Sequence, residues 1–531
     1  MRNTFKIILS FLLIICSAFA SAQRSIDVLH YKYEITLSDN TDEIQGKATI
    51  RFKALRASSQ FFFDLKKINK DYKGMILVKA TEGSSALKAY HPGDSLQLVF
   101  DKTIAAGEEK EITIEYTGIP DDGLIISKNK FGKRCFFSDN WPDRAHHWIP
   151  CNDNPADKAS VEFIVTAPSH YKVVSNGLLQ SEQNISNAKT ITHWKEDIAI
   201  PTKVMVIGVA DFAVDTAGTV DGIPVSSWVF SQNKNDGFKD YSIAPGILSF
   251  FIKYIAPFPY KKLANVQSKT IFGGMENASA IFYAESSVDG RQDQEELIAH
   301  EIVHQWFGNT ATEKSFSHLW LSEGFATYLT HIYIESKYGT DSLNTEMKNE
   351  RNEILAFNKG YKHPVVDSVA PYMELLNTNS YQKGSWVLHM LRRQLGDSVF
   401  HKAIREYYKR FAFSNADTRD LQKVFEDVSG KKLSAFFQQW LYETINPSLH
   451  IQWNWNETTK QTTITITQLQ QPFFQFPLQF SLQTNTGKKT LQTIEITTDK
   501  NTFTLPSSEK IIRLTPDPET SLLFEYDIQY K

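Results

Sequence analysis

The residues with the clearest capacity for chemistry lie in the segment His300-Glu301-Ile302-Val303-His304. The segment sits inside a helical pattern, where two histidines four residues apart share one helix face and reach a single ion. Their imidazole nitrogens suit a borderline-soft metal such as Zn²⁺. The spacing therefore predicts that His300 and His304 hold a zinc ion.

A catalytic zinc site has three protein ligands and one open position, so a third ligand is expected elsewhere in the chain. Glu323 lies nineteen residues after His304, at the start of the next helical segment. Two antiparallel helices joined by the polar loop 309–317 would bring this carboxylate beside the two imidazoles. The alternative is a pair of core histidines and an unrelated glutamate at a helix amino end.

Glu301 follows His300 directly, so its side chain points about 100° around the helix, beside the metal rather than onto it. Zinc lowers the pKa of its bound water and polarises a carbonyl, and Glu301 is placed to take the proton and deliver it to a leaving amine. Upstream, the segment 272–277 contains Gly273, Gly274 and Glu276. Glycines let the backbone approach a ligand closely, although such a segment is also typical of a plain turn.

Three stretches of different periodicity would position these residues. Short alternating strands with Gly, Asn, Asp and Pro turns predict a large antiparallel, β-rich amino-terminal domain over 23–230. Helical periods then take over, which predicts a mainly α-helical catalytic domain over 231–446. Alternation returns over 447–531, a length that suits a small β-sandwich. The predicted fold class is multidomain α+β.

The composition agrees with several folded domains. The chain has 531 residues, 41% of them hydrophobic, and a net charge of −3. This length is well above the roughly 250–300 residues that one hydrophobic core supports. Because the charge is balanced, the chain has no electrostatic footprint for a polyanion, and nucleic acid is not expected as a partner.

Residues 1–22 have the pattern of a cleaved secretory signal peptide, with basic residues, an apolar run and a small-residue end. The apolar run is shorter than the ~20 residues that span a bilayer, so an uncleaved anchor is the weaker alternative. We expect an exported chain, periplasmic or secreted, with no membrane span after cleavage; lipid anchoring through Cys16 is a minor alternative. In an oxidising compartment, Cys135 and Cys151 would either pair or remain buried thiols.

The His-Glu-x-x-His segment, the eighteen-residue gap to Glu323 and the upstream Gly-x-Met-Glu-Asn together resemble the zinc aminopeptidases of the aminopeptidase N and leukotriene hydrolase family, which are gluzincins. The resemblance covers nearly all of the chain after residue 22. It implies a saddle-like β-rich amino-terminal domain, a thermolysin-like catalytic domain and a β-sandwich. The activity it implies is removal of the first residue from peptides with a free amino terminus.

The resemblance also implies the role of each candidate residue. One zinc ion per chain would be bound by His300, His304 and Glu323. The general base and acid would be Glu301.

The substrate's amino group would be bound by Glu276, supported by the backbone of Gly273 and Gly274. The segment Tyr381-Gln382-Lys383-Gly384 matches the tyrosine motif of the family. Tyr381 is therefore expected to stabilise the oxyanion of the tetrahedral intermediate, as a second charge stabiliser beside the zinc.

Two departures from the family pattern change the expected site. Many relatives carry a Gln ten residues before a Pro-Cys pair, where it helps to hold the substrate's amino end, and this chain has Trp141 there. The first subsite is expected to be reshaped, with Asp139 or Asn140 supplying the missing polar contact. Long members append a helical superhelix that caps the site, whereas this chain ends at Lys531, so a more open site is expected.

The leading hypothesis is a zinc aminopeptidase. A thermolysin-like endopeptidase is the second enzyme hypothesis; it would not need Glu276 and would cleave peptides whose amino end is blocked. The third hypothesis is a zinc-bearing binding protein without turnover. It is disfavoured because Glu301 and Tyr381 would have no task beside a structural metal, and such metals usually have four protein ligands.

Overall fold

A computed structural model of the chain describes residues 25–186 and 188–531. The signal peptide predicted over 1–22, and Cys16 within it, lie outside the described residues and stay predictions. In the part of the chain that is described, no helix combines the length and the apolar character needed to cross a membrane.

The amino-terminal part is built from fifteen strands, and in most of the longer ones buried side chains alternate with less buried ones. Its sheets have the strand orders β13-β14-β11-β1-β2-β8-β4-β5, β12-β15-β10-β9 and β3-β7-β6. Most neighbours are antiparallel, as predicted, but β1 pairs with β11 in parallel. The strands are β1 Ile26–Thr36, β2 Ile44–Ala54, β3 Ser58–Asp64, β4 Gly74–Glu82, β5 Ser85–Ala86, β6 Lys88–Tyr90, β7 Ser95–Ile104, β8 Glu109–Ile119, β9 Leu124–Lys128, β10 Arg134–Ser138, β11 Lys158–Pro168, β12 Lys172–Ser175, β13 Leu178–Ser186, β14 Lys189–Pro201 and β15 Ile207–Ala210.

A mixed five-stranded sheet comes next, with the order β16-β17-β18-β20-β19. The sequence analysis missed its last three strands, since β18 is buried throughout and shows no alternation, and β19 has only two residues. The pairing of β17 with β18 crosses the predicted domain boundary after residue 230. The strands are β16 Phe212–Val220, β17 Ile223–Phe230, β18 Leu263–Ser268, β19 Gly274–Met275 and β20 Ala280–Ala284.

The middle of the chain is mainly helical. Left-handed backbone at Gly339 and Gly396 ends α4 and α6. Two three-residue strands, β21 Ala311–Glu313 and β22 Ser414–Ala416, pair in parallel beside the helices. The helices are α1 Lys234–Tyr241, α2 Ala244–Tyr254, α3 Glu295–His304, α4 Trp320–Tyr338, α5 Thr340–Gly360, α6 Gly384–Leu395, α7 Asp397–Phe411, α8 Thr418–Ser429 and α9 Ser434–Phe437.

The carboxy-terminal part contains two small sheets, with the orders β27-β24-β23-β29 and β26-β25-β28. Alternate side chains of β23, β24 and β25 are buried, as expected for strands that cover a core on one face. With this region, the predicted α+β fold class is confirmed. The strands are β23 Ser448–Asn456, β24 Gln461–Gln468, β25 Phe476–Thr484, β26 Lys489–Ile496, β27 Lys500–Pro506, β28 Ile511–Pro516 and β29 Glu525–Tyr530.

Cys135 and Cys151 are free thiols. Cys151 is buried in the main hydrophobic core and Cys135 in a second cluster. Of the two alternatives for these residues, the structure contains the unpaired one. Burial raises the pKa of the Cys135 thiol to about 12, so this thiol is held in its neutral form.

A buried lysine and a half-buried one connect the amino-terminal strands to the catalytic part of the chain. Lys203, just after β14, forms a fully buried ion pair of 2.5 Å with Glu313 in β21. Lys158, at the start of β11, donates hydrogen bonds to the carbonyls of Thr310 (2.6 Å) and Ser414 (2.8 Å). A buried charge is costly unless it is paired or hydrogen-bonded, so these contacts fix the register between the two regions.

Two glycines allow α4 and α6 to pack with their backbones in contact. A Cβ atom added to Gly324 would lie 2.8 Å from the carbonyl carbon of Gly384 and 2.9 Å from its Cα. A Cβ on Gly384 would in turn lie 3.0 Å from the Cα of Gly324. Glu323 lies directly before Gly324, and the turn 379–383 lies directly before Gly384. This packing therefore brings Glu323 and the turn together.

We expect Gly324→Ala to destabilise the protein by about 1–3 kcal/mol, because the added methyl group forces two backbones apart. Gly246→Ala is the matched control, since Gly246 lies in α2 with no atom within 4 Å of an added Cβ. There the change should stabilise the helix by up to about 1 kcal/mol. Chemical denaturation measures the free energy of unfolding of both variants, which should fall in Gly324→Ala and rise in Gly246→Ala. An equal change in the two variants would contradict the close packing.

Candidate active site

The three predicted zinc ligands lie together. Nε2 of His300 and Nε2 of His304 are each 3.3 Å from Oε2 of Glu323, and 3.0 Å from one another. All three donor atoms lie within 4.8 Å of each other, in the sole such group among the residues the structure describes. Two imidazoles and one carboxylate are the donor set of many catalytic zinc sites, so these residues fit that ion.

Contacts behind the ligands orient them. Nδ1 of His304 donates to the carbonyl of Phe307 at 3.1 Å and also lies 3.1 Å from the hydroxyl of Ser322. Because Nδ1 is used in this way, Nε2 faces Glu323. Burial lowers the pKa of His304, but the charge of Glu323, its hydrogen bond and the charges of Glu276 and Glu301 together raise this pKa to about 10. The three side chains therefore attract a shared positive charge, either a proton or a metal ion in its place.

Glu301 lies on the next face of α3, against the edge strand β19. A Cβ atom on Gly274 would lie 2.2 Å from Oε1 of Glu301, so only glycine leaves room for this carboxylate. The sequence predicts that glycine lets the backbone approach a ligand here. At Gly274 the group that comes close is instead the carboxylate of Glu301. Burial raises the pKa of Glu301 well above its usual range, and the charges of Glu276 and Glu323 add to this effect.

Glu276 is buried, and its Oε1 has no hydrogen-bond partner among the described residues. Its backbone carbonyl accepts hydrogen bonds from Nε2 of Gln305 (2.9 Å) and Nδ2 of Asn309 (2.6 Å). Gln305 also accepts a hydrogen bond from the backbone amide of Ser279 at 2.8 Å. The end of the His-Glu-x-x-His helix thus holds the Glu276 segment from behind and leaves the carboxylate turned to the cavity.

Tyr381 lies in a π-helical turn, Asn379–Lys383, that leads into α6. Such turns are rare and occur often at functional sites, since the wider turn shifts the side chains that follow it. The ring of Tyr381 stacks on His300, with centroids 5.9 Å apart and planes 13° apart. Burial and the nearby charges of Glu323, Glu276 and Glu301 raise the pKa of its phenol well above the usual range.

One cavity of about 610 Å³ is lined by four of the candidate side chains and by Tyr381. The four are Glu276, His300, Glu301 and Glu323. Trp141 is in its wall, packed edge-on against Phe272 at 6.0 Å.

Asp139 and Asn140 are buried outside the lining of this cavity. Asp139 pairs with Arg144 and accepts from Thr270 and Ile271, while Asn140 bonds Thr202, Met205 and Trp148. The expectation that Asp139 or Asn140 contacts a substrate is therefore wrong, because their polar atoms are already used; the reshaped subsite and the more open site stay predictions.

Comparison with known proteins agrees with this geometry. Residues 241–440 match the Peptidase family M1 domain, and residues 28–204 match the Peptidase M1 N-terminal domain, so the two matches cover more than half of the chain. The chain belongs to peptidase family M1.

Several curated aminopeptidases are similar in sequence. Aminopeptidase M1-C of Oryza sativa subsp. japonica is 30% identical over 383 residues, which are 68% of this chain and 43% of the relative. Aminopeptidase M1 of Arabidopsis thaliana is 30% identical over 386 residues, 66% of this chain and 44% of the relative. Glutamyl aminopeptidase of Sus scrofa is 25% identical over 366 residues, 64% and 38% respectively. The alignments thus span less than half the length of each of these three relatives.

Sequence reasoning did not find the residues that hold the site from behind. Gln305 and Asn309 follow the second histidine by one and five residues, but their hydrogen bonds go to a segment some thirty residues upstream. The Gly324 and Gly384 contact joins positions sixty residues apart. The one sequence signal for these contacts is the polar segment 309–317 after α3, which by itself indicates only a connecting loop.

We expect Gly274→Ala to displace the carboxylate of Glu301 by about 1 Å, the difference between 2.2 Å and an ordinary contact of about 3.4 Å. Gly273→Ala is the matched control, because the nearest atom to its added Cβ would be 3.9 Å away. Crystal structures of both variants provide the measurement. An unmoved Glu301 carboxylate in Gly274→Ala would contradict the close contact that we describe.

Proposed function

We propose that this chain is a zinc-dependent aminopeptidase that removes the first residue of peptides with a free amino terminus. The observation that carries the proposal is the pairing of two features in one cavity. One is the group of three ligating side chains, His300, His304 and Glu323. The other is the buried and unpartnered carboxylate oxygen of Glu276, which lines the same cavity.

The proposed zinc ligands are His300, His304 and Glu323, with one ion per chain. Zinc held there supplies Lewis-acid chemistry, since it polarises a carbonyl and makes water more acidic. The hydrogen bond from His304 Nδ1 to Phe307 supports this assignment, because it keeps the imidazole in the orientation that presents Nε2. Family membership supports the choice of metal.

Glu276 is the group that would recognise the substrate's amino end. A buried carboxylate with a free oxygen is costly unless a cation comes to it, and a peptide's ammonium group is such a cation. The fixed backbone of Glu276 supports a constant distance between the ammonium and the metal ligands. A constant distance selects the first peptide bond for cleavage.

Glu301 and Tyr381 would carry the proton transfer and the charge stabilisation. Glu301 lines the cavity next to the ligands, where it takes a proton from the attacking water and returns it to the leaving amine. Tyr381 stacks on His300, which supports a role for its hydroxyl as hydrogen-bond donor to the developing oxyanion. We also propose that the chain is exported, a proposal supported by the sequence pattern of residues 1–22 alone.

The test compares peptides that share a sequence and differ only in a free or acetylated amino end. With zinc supplied, we expect the purified chain to release the first residue from free peptides and to leave acetylated ones intact. A chelator should stop release, and added zinc should restore it. Quantified amino-acid release provides the measurement.

Glu276→Gln is the variant matched to this test, because it removes one charge and keeps the shape. We expect kcat/KM for free peptides to fall by roughly a hundredfold, since the ammonium loses its charged partner. Cleavage of acetylated peptides at internal bonds would show an endopeptidase instead. An unchanged preference in Glu276→Gln would refute the role of Glu276.

Glu301→Gln should keep the bound zinc and lower kcat by about 10²–10⁴-fold, because it removes proton transfer without removing a ligand. Elemental analysis measures the zinc, and the peptide assay measures kcat. Glu457→Gln, at an exposed turn of the carboxy-terminal part, controls for the loss of one carboxylate. A near wild-type rate in Glu301→Gln would overturn the proposed mechanism.

A further inference from the structure

The cavity continues past the metal ligands, and its direction relative to them can be read from α3 and β19. An added Cβ on Gly273 would be nearest to Leu297, and one on Gly274 nearest to Glu301, while the carbonyl of Glu276 bonds Gln305. The 273–276 segment therefore follows α3 from its first turn towards its carboxyl end. With the amino group at Glu276 and the carbonyl at the ligands, the residue after the scissile bond extends towards the amino end of α3.

That end of the cavity has an acidic wall. Glu296 comes from the first turn of α3, about one helical turn or 6 Å before His300. Glu346, Glu350 and Glu353 are four and three residues apart, so they share one face of α5. In the lining as a whole, taken over the described residues, there are seven glutamates and no lysine or arginine.

The wall is only partly neutralised. Glu350 pairs with Nε2 of His331 at 2.8 Å and accepts a hydrogen bond from Ser385 at 3.0 Å. For Glu296 and Glu346 we find no ion pair or hydrogen bond within the described ranges. Burial raises the pKa of Glu296 and the charge of Glu346 raises it further, as expected for two carboxylates that face the same space.

A second, independent feature of this wall is a pair of polar atoms without partners. Oγ1 of Thr330 and Nδ1 of His331 both belong to lining residues of α4, which are 4% and 6% exposed. Neither atom has a hydrogen-bond partner among the residues described. Buried polar atoms without partners are uncommon in proteins and point to a ligand that completes them.

The arrangement suits a long flexible cation better than a metal ion. The carboxylates of the wall do not form a group of three or more close donors in the described chain, whereas the zinc ligands do. Carboxylates spread along a wall attract a charge that can reach several of them. A lysine or arginine side chain has this reach, with an apolar stem that can lie along Leu297.

We infer that this acidic wall binds the side chain of a lysine or arginine at the second position of the peptide, directly after the scissile bond. The inference rests on the proposed function, because it takes the amino group at Glu276 and the reacting carbonyl at the zinc ligands. It names the substrate class as peptides with a basic second residue.

The test uses three tripeptides that differ only in the second residue, which is Lys, Gln or Glu, behind the best first residue of the peptide panel. For the zinc-loaded full chain we expect kcat/KM to be about tenfold higher with Lys than with Gln, and lowest with Glu. The Lys preference should decrease as salt is added, because half-exposed charges are screened.

The matched variants remove charge and keep shape. In E296Q/E346Q the ratio of Lys to Gln should fall to about twofold, with the Gln peptide cleaved at close to the wild-type rate. Asp341→Asn removes a carboxylate from the first turn of α5, outside the cavity lining, and should leave the ratio unchanged. Equal kcat/KM for Lys and Gln, or an unchanged ratio in E296Q/E346Q, would overturn the inference.

Binding separates this inference from the proposed function. Titration calorimetry of the three peptides into zinc-loaded Glu301→Gln compares their affinities without turnover. Tighter binding of the Lys peptide, lost in E296Q/E346Q on the same background, supports the acidic wall even if no peptide is hydrolysed. Cleavage of all three peptides at equal rates and with equal affinities supports the aminopeptidase and rejects the wall as a specificity site.

Discussion

Buried negative charge is the constraint on which the rest of this structure depends. Glu276, Glu301 and Glu323 surround one cavity, and each would be costly to bury without a compensating cation. Two imidazoles face Glu323, and a buried oxygen of Glu276 has no hydrogen-bond partner among the described residues. The proposed function supplies a cation to each place, a metal ion at the histidines and a substrate's ammonium group at Glu276.

Charges so close together stay apart only if the backbone around them is rigid. The absence of a side chain at Gly274 lets β19 approach α3 closely, and the Gly324–Gly384 contact lets α4 and α6 approach one another. Gln305 and Asn309 then fasten the Glu276 segment to the end of α3. The buried Lys203–Glu313 pair, on the strand that follows, fixes the amino-terminal strands against this assembly. Close backbone packing and buried hydrogen bonds thus hold the like charges of the cavity at fixed distances.

The same cavity contains the residues typical of the family and the acidic wall for which we infer a role in specificity. Membership in peptidase family M1 accounts for the ligand triad and for the mainly helical catalytic part. The wall of Glu296 and α5 belongs to the same lining, and we infer that its charge acts on the second residue of a peptide. Trp141 contributes an apolar surface next to Phe272 in the same lining. The cavity therefore combines an apolar surface with an anionic wall.

Local spacing was enough to single out His300, His304 and Glu301, and an expected pairing of helices added Glu323, as candidate residues that the structure brings together. Periodicity also predicted the succession of β-rich, helical and β-rich regions. His300, His304 and Glu301 are near neighbours on one helix, where sequence distance fixes spatial distance. The tertiary structure alone decided that one carboxylate oxygen of Glu276 has no partner among the described residues, that Asp139 and Asn140 are already hydrogen-bonded, and that Cys135 and Cys151 are unpaired. It also placed β18–β20 beside β17 and gathered the carboxylates of α3 and α5 into one wall. These results depend on contacts between residues far apart in the chain, for which periodicity carries no information, because a repeat specifies which face is buried but not what covers it.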